Sequence, residues 1–299
     1  MCGIVGLFLK DKALEPRLGD LLSDMLITMT DRGPDSAGIA IYGAGAAGKA
    51  KITAQSADPE TDFKGLVAAL DLAGIPAEVV IKSTHAVIEI DADAVADTRA
   101  FLAAKGLRVM GAGESVEIYK EVGLPKDVVS RFDIRAMAGS HGIGHTRMAT
   151  ESAVTTLGAH PFSTGADQCL VHNGSLSNHN NLRRVLTKQG MRFETRNDSE
   201  VAAAYLTAEM AGGKDLGQAL EGALEDLDGF FTFVVGTKSG FGVLRDPIAC
   251  KPAVMAETDQ YIAFGSEYRA LVNLPGIETA RVWEPEPATV YFWDHGKAA

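Results

Sequence analysis

The sequence has 299 residues, of which 46% are hydrophobic and 22% charged, and its formal net charge is -11. This is ordinary globular composition with enough apolar material for a core, in one large domain or two small ones. The acidity argues against nucleic acid or an anionic membrane as the main partner, because both select basic faces.

The opening, MCGIVGLFLK, is too short for a signal peptide and has no basic leader. No later run approaches the roughly 18 apolar residues that span a bilayer, so a soluble, cytoplasmic chain is expected. Residues 3–9 read as a buried strand. Leu18, Leu21, Leu22, Met25, Leu26 and Met29 recur at helical spacing and predict an amphipathic helix over about 14–30. Asp31-Arg32-Gly33-Pro34-Asp35 breaks it, and residues 37–42 read as another strand. The Gly- and Ala-rich stretch 43–51 reads as a linker.

From 52 to about 135 the character changes. A helix is predicted over 64–72 and another over 92–105, ended by Gly106. Strand-like runs fill 78–90 and 107–122. Strands alternating with helices predict a small α/β insert over 44–135. No catalytic-looking cluster sits in it, and His85 and Arg99 read as surface or core-edge groups. Beyond Gly139 come dense polar motifs, then helices over about 199–211 and 216–227. Strands follow over 230–236, 240–245, 260–265 and 288–293. Pattern alone therefore gives an α+β fold.

Position 2 is small, which permits removal of the initiator Met and would leave Cys2 with a free α-amine. Such an amine has a reference pKa of about 8 and can take the thiol proton near neutral pH. The thiolate is then the nucleophile, and the amine can return the proton to a leaving group. No His/Asp partner is needed. The other cysteines are Cys169, beside apolar Leu170-Val171, and Cys250, after Ile248-Ala249. Both read as inert, and the three together lack the spacing of a disulfide framework, zinc site or iron–sulfur cluster.

Met-Cys-Gly-Ile-Val-Gly followed by Arg32-Gly-Pro-Asp35 resembles the opening of class II glutamine amidotransferases, which are N-terminal-nucleophile hydrolases. The later motifs arrive in that family's order. Gly144-His-Thr-Arg147-Met-Ala-Thr150 resembles its substrate-carboxylate segment, and His172-Asn173-Gly174 its oxyanion segment. Asn197-Asp198-Ser-Glu200 resembles its amino-group segment. Arg245-Asp-Pro and Phe264-Gly-Ser-Glu267 resemble its closing strands. The likeness covers about 1–42 and 136–293.

The resemblance implies a four-layer αββα sandwich of two mostly antiparallel sheets. It also implies roles. Arg147 offers a donor fork to the glutamine α-carboxylate, with Thr150 as a second donor. Asp198 balances the α-ammonium. The Asn173 side-chain amide and the Gly174 backbone N–H receive the oxyanion, and each such donor is worth about 3–4 kcal/mol when preorganised. Other readings stay open for some of these residues. Asn173-Gly174 also fits a hairpin turn. Asp198 also fits a helix N-cap. Arg32 and Asp35 are expected to shape the loop beneath the site, and His145, His160 and His172 to be structural.

Glutaminase domains of this class are usually joined to a synthase that consumes ammonia, and only six residues follow Trp293. Gly43-Ala-Gly-Ala-Ala-Gly48 echoes a dinucleotide loop without its βαβ context. The chain is thus expected to need no cofactor of its own and to supply ammonia within an assembly. Its layout looks like the amidotransferase subunit of glutamate-synthase-like systems, notably N-methylglutamate synthase, in which FMN and iron–sulfur clusters would belong to partner subunits. The insert is the candidate docking surface. A free-standing glutaminase, a hydrolase of another amide, and a non-catalytic scaffold are the alternatives.

Overall fold

The computed structural model describes residues 2–149 and 153–296. Strand β1 (Gly3–Leu9) is buried on both faces. Its side chains alternate: Val5, Leu7 and Leu9 join one apolar cluster, while Ile4 and Phe8 join another. Helix α1 (Leu18–Thr28) follows, shorter than the 14–30 of the sequence pattern. Its first expected turn is a 3₁₀ segment, Lys12–Arg17, containing Pro16. Proline has no N–H to give an α-helical bond and clashes with the preceding turn. Strand β2 (Ser36–Tyr42) lies beyond the Arg-Gly-Pro-Asp loop.

The chain then leaves the body of the molecule. Strand β3 (Lys49–Gln55), helices α2 (Pro59–Asp62) and α3 (Leu66–Leu72), and strands β4 (Glu78–Lys82) and β5 (His85–Asp91) are followed by α4 (Val95–Ala104) and β6 (Arg108–Gly113). The four strands form a sheet of order β4-β5-β3-β6 with every pair antiparallel. This is a β-α-β-β-α-β unit of the split type. It has its own core, in which Ile52, Leu66, Leu70, Ile88, Ile90 and Leu102 are buried.

Two sequence expectations change here. The insert is an antiparallel α+β unit, not α/β. It also ends sooner than residue 135: β7 (Val116–Val122) pairs with β2 at the edge of the main sheet, and α5 (Pro125–Arg131) packs Val128 and Val129 beside α1. Residues 107–122 looked like continuous strand because the reversal within them is made from elsewhere. The Asp167 carboxylate accepts hydrogen bonds from the backbone N–H groups of Glu114 (2.7 Å), Ser115 (2.8 Å) and Val116 (3.0 Å). The insert thus sprouts from the tip of the β2–β7 hairpin, where Gly43 N donates to Ser115 O at 3.1 Å.

The remaining elements complete the body: strands β8 (His141–Arg147), β9 (Phe162–Gly165) and β10 (Gln168–Leu176), then helices α6 (His179–Lys188), α7 (Asp198–Ala211) and α8 (Leu216–Asp226). Strands β11 (Gly229–Gly236), β12 (Gly240–Arg245), β13 (Val254–Glu257), β14 (Tyr261–Gly265), β15 (Arg281–Trp283) and β16 (Thr289–Asp294) close the chain. One sheet has the order β15-β13-β14-β1-β8-β2-β7 and the other β16-β12-β11-β10-β9. Ile4, Phe8, Ile143, Val171, Val234 and Phe241 interdigitate between them. The outer face of the first sheet packs on α1 and α5, and that of the second on α6, α7 and α8. This is the expected αββα sandwich. Cys169 lies in the inter-sheet core, where burial pushes its thiol up to about 12. Cys250 is exposed.

Candidate active site

Cys2 sits half-buried at the start of β1, a central strand of the first sheet. Its carbonyl accepts two hydrogen bonds, from Arg32 Nε at 3.0 Å and from Asn173 Nδ2 at 3.3 Å. Two residues on, the strand is clamped again: Ile4 N donates to Ser266 Oγ, and Ser266 N donates back to Ile4 O, both at 2.9 Å. Arg32 is buried, and its Nη1 pairs with Glu267 Oε1 at 2.5 Å. Hydrogen bonding from Arg32, with Arg269 nearby, holds the Glu267 carboxyl below its ordinary range. The Arg-Gly-Pro-Asp and Phe-Gly-Ser-Glu motifs, 235 residues apart at Arg32 and Glu267, therefore meet behind Cys2.

The loop after Arg32 lies directly on β8. A Cβ on Gly33 would come within 2.6 Å of the Arg147 backbone, so only glycine permits the approach. Asp35 completes the fit, its N–H donating to Arg147 O at 3.1 Å and its Oδ2 accepting from Ala149 N at 2.8 Å. Both residues shape the loop, as the sequence suggested, and Arg32 does more by holding Cys2 itself. β1 and β8 run antiparallel with Gly3 opposite Thr146. The same register continued by one residue brings Cys2 beside Arg147.

Asn173 and Gly174 lie inside β10, opposite Thr232 and Phe231 of β11, so they are not a hairpin turn. A Cβ on Gly174 would meet Phe230 O at 2.0 Å, which reserves that position for glycine. Asp198 is the first residue of α7. The cap is its neighbour, since Asn197 Oδ1 accepts from Ser199 N at 2.8 Å. The Asp198 carboxylate accepts instead from Leu176 N at 2.9 Å, which ties α7 to the end of β10. Arg147 and Asp198 line one cleft of ≈ 500 Å³, together with Leu157, Gly158, Thr195 and Arg196. Cys2 and Asn173 meet each other rather than lining that cleft. Thr150, the other expected donor, lies outside the described residues.

A buried polar cluster underlies all of these positions. Ser199 Oγ bridges His160 Nε2 (2.9 Å) and His172 Nδ1 (2.8 Å). His145 Nε2 faces the carbonyl of His172 at 3.1 Å; a carbonyl only accepts, so His145 carries its proton on Nε2. The rings of His145 and His160 stack with centroids 4.0 Å apart. Burial pushes His145 down to about 3 and His160 well below its ordinary value. His172 is also lowered by burial, which the Asp198 charge opposes. The cluster is therefore neutral at physiological pH. It joins residues adjacent or nearly adjacent in sequence to Arg147, Asn173 and Asp198.

Sequence reasoning named Glu200 only as the end of a motif and gave it no role. Its buried carboxylate accepts from Glu194 N (2.7 Å), Thr195 N (2.8 Å) and Thr195 Oγ1 (2.6 Å), pinning the loop that walls the cleft. Asn197-x-x-Glu200 is the spacing of a capping box and could have flagged it. Among the described residues no group of three or more His, Cys, Asp or Glu side chains is placed to hold a metal ion. No described helix is long and apolar enough to cross a membrane.

Comparisons with known proteins identify the family. The glutamine amidotransferase domain family matches residues 145–273. The glutamine amidotransferase-like protein GlxB of Rhizobium meliloti (strain 1021) is 79% identical over 100% of both chains. A putative glutamine amidotransferase of Methanothermobacter thermautotrophicus is 32% identical over 98% of this chain and 100% of that one. An amidophosphoribosyltransferase of Methanocaldococcus jannaschii is 31% identical, but this chain spans only 35% of its length. The solved glutamine phosphoribosylpyrophosphate amidotransferase of B. subtilis shares the fold, with a TM-score of 0.63 at 19% identity over 99% of this chain and 48% of that one. The chain belongs to the glutamine amidotransferase family.

Proposed function

We propose that Cys2, freed at the N-terminus, hydrolyses glutamine to glutamate and ammonia. The reading rests on one juxtaposition. The Asn173 amide lies on Cys2, while Arg147, next to Cys2 in register, shares a cleft with Asp198. A guanidinium and a carboxylate in one cleft match the two charges of an α-amino acid and hold its side-chain amide toward Cys2.

The α-amine takes the thiol proton, and the thiolate attacks the amide carbon. Negative charge passes to the amide oxygen, where Asn173 Nδ2 and Gly174 N–H receive it. Collapse breaks the C–N bond, and the proton held on the amine goes to the departing nitrogen, which leaves as ammonia. Water then attacks the thioester, releasing glutamate and restoring the thiol. The neutral histidines keep the segments bearing Arg147, Asn173 and Asp198 in register and take no proton.

The ammonia is passed to a synthase on another polypeptide, in an assembly of the glutamate-synthase-like kind such as N-methylglutamate synthase. FMN and iron–sulfur clusters belong to the partners in that reading, which is supported by the resemblance of layout alone. A glutamine-analogue electrophile should add to Cys2 and spare Cys169 and Cys250, as read by peptide mass spectrometry, with Met1 absent. Labelling elsewhere, or Met1 retained in active protein, overturns the chemistry. Co-purification with flavin and iron–sulfur subunits tests the assembly.

A further inference from the structure

A second cavity lies where the insert meets the body. Its volume is ≈ 530 Å³, within the range of sites for small metabolites. The insert supplies Arg99 and Ala103 of α4 and Val109 of β6, and the body supplies Phe162 and residues 190–192, 194 and 195. Leu157, Glu194 and Thr195 line both this cavity and the glutamine cleft, so they form a shared partition.

The charged groups around the cavity divide into two sets. Lys120 and Glu200 are buried and committed to backbone. Lys120 Nζ donates to the carbonyls of Leu157 (3.4 Å), Ala159 (2.9 Å) and Pro161 (3.1 Å). Glu200 holds residues 194 and 195 on the partition's other side. Arg99, Arg192 and Glu194 form the second set. They line the cavity as exposed residues, and the Glu194 carboxylate is close enough for its charge to act on Arg99. Two guanidinium groups thus face one carboxylate, beside an apolar surface of Val109, Met110 and Phe162. Exposed guanidinium forks in a concave, half-apolar site suit a planar or tetrahedral oxyanion.

We infer that this cavity binds a small anionic metabolite, its carboxylate or phosphate held by Arg99 and Arg192. We further infer that occupancy is transmitted to the glutamine cleft through Leu157, Glu194 and Thr195. The binding stands on the cavity alone; the transmission rests on the glutaminase reading of the neighbouring cleft. The partition is the physical link, because one loop presents Arg192 to the second cavity and Arg196 to the first.

The test uses the full chain with two probes, succinate and inorganic phosphate. At saturation either should raise Tm by about 3 °C, the scale of a ligand that binds only the folded state. The shift should vanish in Arg99→Ala/Arg192→Ala and persist in Arg196→Ala, which alters the glutamine cleft only. Stabilisation by succinate alone identifies a carboxylate ligand, and by phosphate alone a phosphorylated one. No shift with either probe overturns the proposal. So does a shift lost in Arg196→Ala and kept in the double variant, since the anion would then occupy the glutamine cleft. Should the double variant melt early without probe, Arg192→Ala alone serves, its residue being exposed on a loop. For transmission, a saturating probe should change the rate of Cys2 labelling by a glutamine analogue about fivefold in wild type and not in the double variant. An unchanged rate overturns the coupling. Failure of Cys2 to label at all overturns the glutaminase reading and leaves the Tm result standing.

Discussion

The two stacked sheets and the four-stranded insert are both antiparallel and both well packed, yet they bury different chemistry. Between Lys49 and Gly113 the buried polar side chains are Thr53, Gln55, Ser56, His85 and Thr98, with no Asp, Glu, Lys or Arg among them. The body buries Arg32, Lys120, Glu121, Arg147, Glu200, Arg245 and Asp246. Burying a charge is costly unless it is paired or hydrogen-bonded. A region that carries many such groups is being held for chemistry or for the geometry around it, while an apolar core is being held for shape. The insert is a module of shape, and the charges it offers a ligand stand at its seam with the body.

That contrast can be broken at several points, and the largest effect belongs to Cys2. Cys2→Ala should lower glutamate release from glutamine by about 10⁴-fold or more with Tm unchanged. Retained activity would remove the body's claim to the chemistry. Asn173→Ala comes next. Its kcat should fall by about 10²- to 10³-fold with KM little altered, the pattern of a donor that acts on the transition state. A rise in KM alone would make Asn173 a binding residue instead.

Ser199→Ala removes the hydroxyl shared by His160 and His172 and leaves two imidazoles unsatisfied in the core. We expect a loss of about 1–3 kcal/mol in stability and about tenfold in kcat/KM, since Asp198 is its neighbour. Ser199→Thr should rescue much of both; a normal kcat/KM in the alanine variant would show that the cluster does not position the site.

Acid should expose the same asymmetry. Burial holds His141 and His145 of the body at about 3 and His160 well below its ordinary value, whereas the insert contributes only His85, also at about 3. Each stays neutral when folded and takes up a proton near its ordinary value when unfolded. The unfolded state therefore binds more protons below about pH 6.5, and stability present above that pH is lost as pH falls toward 3. The slope is about 1.4 kcal/mol per pH unit for each histidine. Urea midpoints at pH 7 and pH 5 measure it, and equal midpoints would contradict the assigned neutral state. The smallest functional effect should come from the insert. Leu70→Ala should cost about 2–5 kcal/mol in its core while glutaminase kcat stays within about twofold. A large loss of kcat would show the insert to be part of the catalytic frame.

Much of the candidate site could be named from the sequence because its residues fall in short motifs whose order along the chain carries meaning. Arg147, Asn173, Gly174 and Asp198 were each named from such runs; Arg147 closes β8 and Asp198 opens α7, while Asn173 and Gly174 lie inside β10. What escaped was non-local. Nothing near Arg32 announces Glu267, and nothing near Glu114 and Ser115 announces the Asp167 carboxylate that turns the chain there. Asn173-Gly174 carries the local signature of a turn, but pairing with β11 on one side overrides it. Local pattern also misjudged the insert. Alternating helices and strands suggest parallel crossovers, while the split order β4-β5-β3-β6 pairs every strand antiparallel.

The point of attachment of that insert has a consequence for how the molecule comes apart. The chain departs at Gly43 and returns at Ser115, which are hydrogen-bonded neighbours. The insert can therefore melt as a loop closed at its base, without drawing strands out of the main sheet. Its separate apolar core gives it cooperativity of its own. Hydrogen exchange should then resolve two protection classes, with the amides of β3 and β5 opening while those of β1 and β8 stay closed. A single shared opening energy would mean that the seam with the body is strong enough to fuse the two into one folding unit.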